Sequence, residues 1–155
     1  MTKRVPWPEW AAPEREAILT ATRRMKRAID DTWQQGLSGR QNTELIQRAL
    51  PFLEAQAQVI KIAVASIRQK PRPDGARFPQ WARPVLDEAP IQADAVIEFV
   101  TQGSKEWGVG QNWEVLSRAF KFSHGAALRI EAMVDGIDFE AEADRTVKIA
   151  DTIAD

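Results

Sequence analysis

Apolar residues at alternating spacings of three and four recur along this 155-residue chain. Because about 3.6 residues complete one helical turn, such spacing lines one face of an α-helix. The longest seam of this kind comprises Trp113, Leu116, Phe120, Ser123, Ala127, Ile130 and Val134. No segment shows the sustained period-two alternation typical of a half-buried strand. The sequence therefore predicts an all-α, single-domain fold.

Three further patterns predict the other long helices. One helix is expected from Pro13 to about Gln35, and a second region continues to about Lys70, with Pro51 either kinking it or starting a new helix. Its apolar residues cover more than one face, so we expect it to be the most buried. A last helix is predicted after Asp138. The inner face of the first helix is Ile18, Thr22, Met25, Ile29 and Trp33, and that of the last is Phe139, Ala143, Val147, Ala150 and Ile153.

Prolines divide the predicted bundle of five or six helices. Residues 1–12 contain Pro6 and Pro8 and are expected to form an extended arm before the bundle at 13–155. Five of the nine prolines fall in residues 71–90, which predicts a hinge between a basic half, 13–70, and an acidic half, 91–155. Pro90 is expected to begin a helix that ends at Gly103, followed by a loop to Gly110.

Composition excludes several kinds of chemistry. The chain has no cysteine and a single histidine, so disulfides and metal sites built from Cys and His ligands are excluded. We expect no metal and no cofactor. The N-terminus lacks the apolar run of a signal peptide, and Lys61 and Ser66 interrupt the most apolar segment. We therefore expect a cytoplasmic protein without a membrane partner.

Charge is distributed unevenly. Residues 1–83 contain 15 of the 21 Lys and Arg residues but only 8 of the 22 acidic residues. Two interpretations stay open: the halves neutralise each other within one fold, or the basic half contacts nucleic acid or an acidic partner. For the second interpretation the candidate contact residues are Arg23, Lys26, Arg27, Arg68, Lys70, Arg72 and Arg77.

The segment from Arg118 to His124 is the one candidate catalytic motif. Its Arg-x5-His spacing resembles the Arg-x4-6-His motif of HEPN ribonucleases, all-helical proteins that cleave RNA as dimers. The resemblance implies that Arg118 and His124 would act on the scissile phosphate and the 2′-hydroxyl. Ala119 and the absence of tyrosine depart from the family pattern. Six residues place the two side chains roughly 120° apart on a helix, which favours a partly buried histidine beside the seam.

Two tryptophans in the predicted arm are candidate partner-binding residues. Trp7 and Trp10 either anchor another protein or fold back onto their own bundle. Because no catalytic constellation is evident, we expect a non-enzymatic interaction subunit or accessory factor that binds another macromolecule or a second copy of itself. The alternatives are the HEPN-like ribonuclease and a backbone-binding subunit of a ribonucleoprotein or phage-type assembly.

Overall fold

A computed structural model describes residues 7–34, 40–71, 83–110 and 113–135 of the chain. These residues form four long helices and a short 3-10 turn, with no strand among them. The helices are α1 (Ala12–Gln34), α2 (Arg40–Gln69), α3 (Arg83–Gly110) and α4 (Trp113–Asp135), and the turn is Glu9–Ala11. The predicted all-α fold is confirmed for this part of the chain. The last predicted helix, after Asp138, lies outside the described residues.

Each helix packs against its neighbours in the chain, and α4 closes the bundle against α1. Pairs such as Lys61–Asp94 and Arg68–Asp87 show that α2 and α3 run antiparallel. The predicted stripes of α1 and α4 form the core wherever their side chains are described, and Phe120 is its largest fully buried side chain. Trp33 and Trp113 belong to helices, but their side chains lie outside the described part.

Helix α2 decides between the two alternatives for Pro51. It is one continuous helix through Pro51. Pro51 is exposed and so is Gln47, whose carbonyl loses its helical donor to the proline and can bond water instead. Among the described residues α2 has more buried side chains than any other helix, as expected, yet its outward side is open: Phe52 and Val59 are each 38% exposed and Ile62 is 68% exposed.

Helix α3 is longer than predicted at both ends. It begins at Arg83, not at Pro90, so residues 83–90 of the predicted hinge are helical, while residues 72–82 lie outside the described part. Pro84 lies in the first turn, where a missing N–H has no helical acceptor. Pro90 lies inside the helix, where a side chain from α2 supplies the hydrogen bond that the proline cannot make.

The predicted loop from Gly103 to Gly110 is also wrong, because α3 continues to Gly110. Gly103 is buried, and a Cβ built on it would lie 3.4 Å from the Ala119 Cβ and 3.9 Å from Leu50. Packing of α3 against α2 and α4 therefore outweighs the low helix propensity of glycine, which is about 1 kcal/mol relative to alanine. Residues 9–12 of the predicted arm are already helical, and residues 1–6 lie outside the described part.

Candidate helix-binding groove

A second stripe runs along the outward side of α2. It consists of Arg48, Phe52, Ala55, Val59, Ile62 and Ser66. These positions alternate by four and three, the same spacing that places the core residues on the opposite side of the helix. Among the described residues, five large hydrophobic side chains are exposed, and three of them lie on this stripe: Phe52, Val59 and Ile62. An apolar surface that continues over several helical turns is typical of an interaction site.

The stripe faces a line of residues on α1, so that the two helices border a shallow groove. At one end a depression of about 260 Å³ is lined by Pro13, Glu14, Ala17, Val59, Ile62, Ala63 and Ser66. At the other end a depression of about 270 Å³ is lined by Ala28, Asp31, Thr32, Arg48, Ala49 and Phe52. We call the surface formed by these two depressions and the stripe between them the α1/α2 groove.

One buried carboxylate lies at the first end of the groove. Glu14 accepts hydrogen bonds from the Ser66 hydroxyl at 3.0 Å and from Lys70 Nζ at 3.1 and 3.2 Å. Burial alone would raise the pKa of Glu14. The hydrogen bonds from Lys70, from its own backbone N–H and from Ser66, with the charge of Lys70, lower that pKa below the ordinary value. Both oxygens are thus occupied, and Glu14 joins the start of α1 to the end of α2.

The geometry of this groove suits binding and offers no evident catalytic arrangement. Its walls are apolar apart from Glu14 and Ser66 at one end and Asp31, Thr32 and Arg48 at the other. Glu14 is held by Lys70 and Ser66, and no histidine lines either depression. A long apolar groove between two helices is the form that accepts an amphipathic helix, with anchors at spacings of three and four.

Several predicted nucleic-acid contact residues form ion pairs or hydrogen bonds with other residues of the bundle. Lys26 Nζ lies 2.5 Å from Glu131 of α4, and Lys70 is held by Glu14. Arg68 bonds Asp87 and the main chain of α3. Arg23 and Arg27 are exposed on α1. Arg72 and Arg77 lie outside the described residues. Nucleic-acid contact by this set stays a prediction.

The uneven charge distribution is partly neutralised within the fold. Four ion pairs join a basic residue of the first half to an acidic residue of the second half. They are Arg15–Asp135, Lys26–Glu131, Lys61–Asp94 and Arg68–Asp87. The interpretation in which the halves neutralise each other therefore accounts for these residues. Arg24, Arg27 and Arg48 are exposed, and Arg48 lines the second depression of the α1/α2 groove.

Arg118 and His124 make separate contacts. Arg118 is exposed and bonds Glu114 of its own helix at 2.6 Å. His124 is half-buried, and its Nε2 lies 3.3 Å from an oxygen of Asp30 on α1. Six residues of helix separate the two by about 120° around the α4 axis. Within one chain, the arrangement thus matches the interpretation of His124 as a partly buried histidine beside the seam.

Trp7 and Trp10 both pack against the core of their own bundle. Trp7 Nε1 donates a hydrogen bond of 2.6 Å to the Val134 carbonyl in the last turn of α4. Both side chains remain partly exposed. The structure shows this packing, and their role in partner binding stays a prediction.

Sequence reasoning missed the groove, although its signal was present. Apolar residues on more than one face of α2 predict burial, whereas part of them form a second, outward surface in the structure. The stretch Ile46–Gln69 is long and apolar enough to cross a membrane by length and composition, yet only 44% of it is buried in the bundle. Core helices of soluble proteins have the same properties, so this stretch is only weak evidence for a membrane-spanning helix.

None of the protein-family models, curated proteins and solved structures compared with the chain matches it.

Proposed function

We propose that this chain is a non-enzymatic helical interaction subunit that binds an amphipathic helix of a partner protein in the α1/α2 groove. The observation that carries the proposal is the exposed stripe on α2, in which Phe52, Val59 and Ile62 remain accessible after the bundle has formed. Burial of apolar surface on a partner is favourable by roughly 25 cal/mol per Å². Each of these side chains therefore favours association.

The two depressions also support a helical occupant. Their lining residues on α1 are centred about sixteen residues apart, which corresponds to about 24 Å along a helix. A partner helix of four to five turns spans that distance and places an apolar side chain in each depression. The charged and polar groups at the two ends, such as Glu14 and Arg48, would fix its position along the groove.

The chain offers a matched pair of positions for a test. Ile62 on the groove and Ile91 on α3 are 68% and 65% exposed. A partner recovered with the full chain from its host is purified and titrated against Ile62→Glu and Ile91→Glu. We expect Ile62→Glu to weaken binding at least about tenfold, because it places a charge on the apolar surface, and Ile91→Glu to leave it unchanged. Equal binding by both variants would refute the groove as the site.

A further inference from the structure

We infer that residues 136–155 of this chain occupy the α1/α2 groove in the absence of a partner, so that the partner helix must displace them. The inference rests on the proposed function, because it concerns the regulation of the same groove. In this arrangement the helix predicted after Asp138 would be the fifth helix of the bundle.

The end of α4 lies close to one end of the groove. Asp135, its last residue, lies 3.6 Å from the Arg15 guanidinium in the first turns of α1. Pro13, Glu14 and Ala17 of the same turns line the first depression of the groove. A chain leaving α4 at Asp135 therefore has only the start of α1 to cross.

The length and pattern of this segment fit the groove. From Phe139 to Ile153 the predicted apolar stripe covers fourteen residues, which is about 21 Å as a helix. The centres of the two depressions are about 24 Å apart along α1. A helix that enters at the Pro13 end and runs parallel to α1 therefore brings Phe139 to the first depression and Ile153 to the second.

Charge complementarity favours the same occupant. Residues 136–155 contain six acidic and two basic residues. Arg48 of α2 lines the second depression together with Asp31, and Arg24 is exposed on α1 at a position that lies, by helical spacing, on the same side as Ala17 and Ala28 of the groove. Ion pairs at such an exposed rim contribute little affinity but help to fix orientation and partner choice. The apolar stripe supplies the contact energy.

An internal occupant changes how a partner binds. While the segment covers the groove, the apparent affinity for a partner is reduced by the fraction of molecules with an open groove. A partner therefore needs either higher intrinsic affinity or a second contact that releases the segment. Substitutions that weaken the segment should tighten partner binding without any change in the groove itself.

Cysteine reactivity in the full chain tests the inference, because the natural sequence contains no cysteine. Ile62→Cys places a thiol in the groove, and Ile91→Cys places one at a matched exposure outside it. Each is made in the natural background and with Val147→Glu, which charges the predicted apolar stripe. Thr152→Glu is the matched control, since Thr152 lies about 160° around the helix from the centre of the stripe. The measurement is the rate of alkylation by iodoacetamide.

We expect Ile62→Cys to react at least about tenfold more slowly than Ile91→Cys, and Val147→Glu to abolish that difference. Thr152→Glu should leave it in place. Equal rates for the two thiols, or a difference that Val147→Glu does not change, would overturn the inference. Protection that grows with protein concentration would also overturn it, in favour of a second copy. None of these results decides the proposed function, which the partner titration with Ile62→Glu tests separately.

Discussion

The guanidinium of Arg68 donates a hydrogen bond of 2.7 Å to the main-chain carbonyl of Leu86. In an uninterrupted helix that carbonyl would accept from the N–H four residues later, but the residue there is Pro90, which has none. A side chain of α2 thus replaces the missing donor of α3. The same guanidinium pairs with Asp87 at 3.1 Å, so that Arg68 joins the two helices at the proline.

This arrangement predicts strong coupling between Arg68 and Pro90. Arg68→Ala leaves the Leu86 carbonyl without this donor, and we expect it to lower the free energy of unfolding by about 1 kcal/mol. In a Pro90→Ala background the helix supplies its own donor, so Arg68→Ala should cost clearly less. Urea unfolding of the two single variants and the double variant measures the coupling. Asp87→Asn is the control, because an exposed ion pair contributes little. Equal costs in both backgrounds would contradict the explanation.

Glu14 makes the stability of the bundle depend on pH. Its pKa is lowered in the folded protein, so its contribution to stability is complete above the unfolded pKa of about 4.3 and is lost as the pH falls through the folded value. We expect Glu14→Gln to reduce the free energy of unfolding by about 1 kcal/mol at pH 7 and to have a progressively smaller effect below pH ~4. Urea unfolding at several pH values measures the difference, with the exposed Glu16→Gln as control. A constant difference across this range would rule out the assigned role.

The sequence predicts the inner faces of the helices well, because burial imposes a strict period on them. Ile18, Met25, Phe120 and Ile130 all lie on predicted stripes and are fully buried. Period alone, however, does not distinguish a core stripe from an exposed one. The outward stripe of α2 has the same spacing and the same residue types, and only the positions of the other helices leave Ile62 exposed.

The wrong predictions concern residues whose preference for ending a helix is outweighed by contacts with residues distant in sequence. Pro90 and Gly103 both indicate a break, yet α3 passes through them. Arg68 replaces the hydrogen bond at the first, and Ala119 and Leu50 pack closely at the second. Such contacts come from α2 and α4, and no window of sequence around the proline or the glycine contains them.

Ser123 places a hydroxyl group in the core of the bundle. Its side chain is fully buried, and its hydroxyl has no hydrogen-bond partner among the described residues. Because burial of an unpaired hydroxyl is unfavourable, we expect Ser123→Ala to raise the free energy of unfolding by about 1 kcal/mol. Thr22→Val is the matched control, since the equally buried Thr22 hydroxyl does donate to the Leu19 carbonyl at 2.9 Å. Thermal unfolding should show a gain for the first variant and none for the second, and a loss for Ser123→Ala would indicate an unrecognised partner.

Trp7 packs beside the end of α4, and two substitutions distinguish the contribution of its hydrogen bond to stability from that of its packing. The Val134 carbonyl belongs to the last turn of α4, where helical donors are lacking, and the indole N–H occupies it at 2.6 Å. Trp7→Phe removes this donor but keeps an aromatic ring, so we expect a loss of about 1 kcal/mol. Trp7→Ala also removes the contact with the core, and because the side chain is only partly buried we expect a total loss of about 2–3 kcal/mol, below the full value for a buried aromatic. Thermal unfolding followed by far-ultraviolet circular dichroism measures both. Unchanged melting temperatures for both variants would show that this packing contributes nothing to stability and would leave partner binding as the remaining role of Trp7.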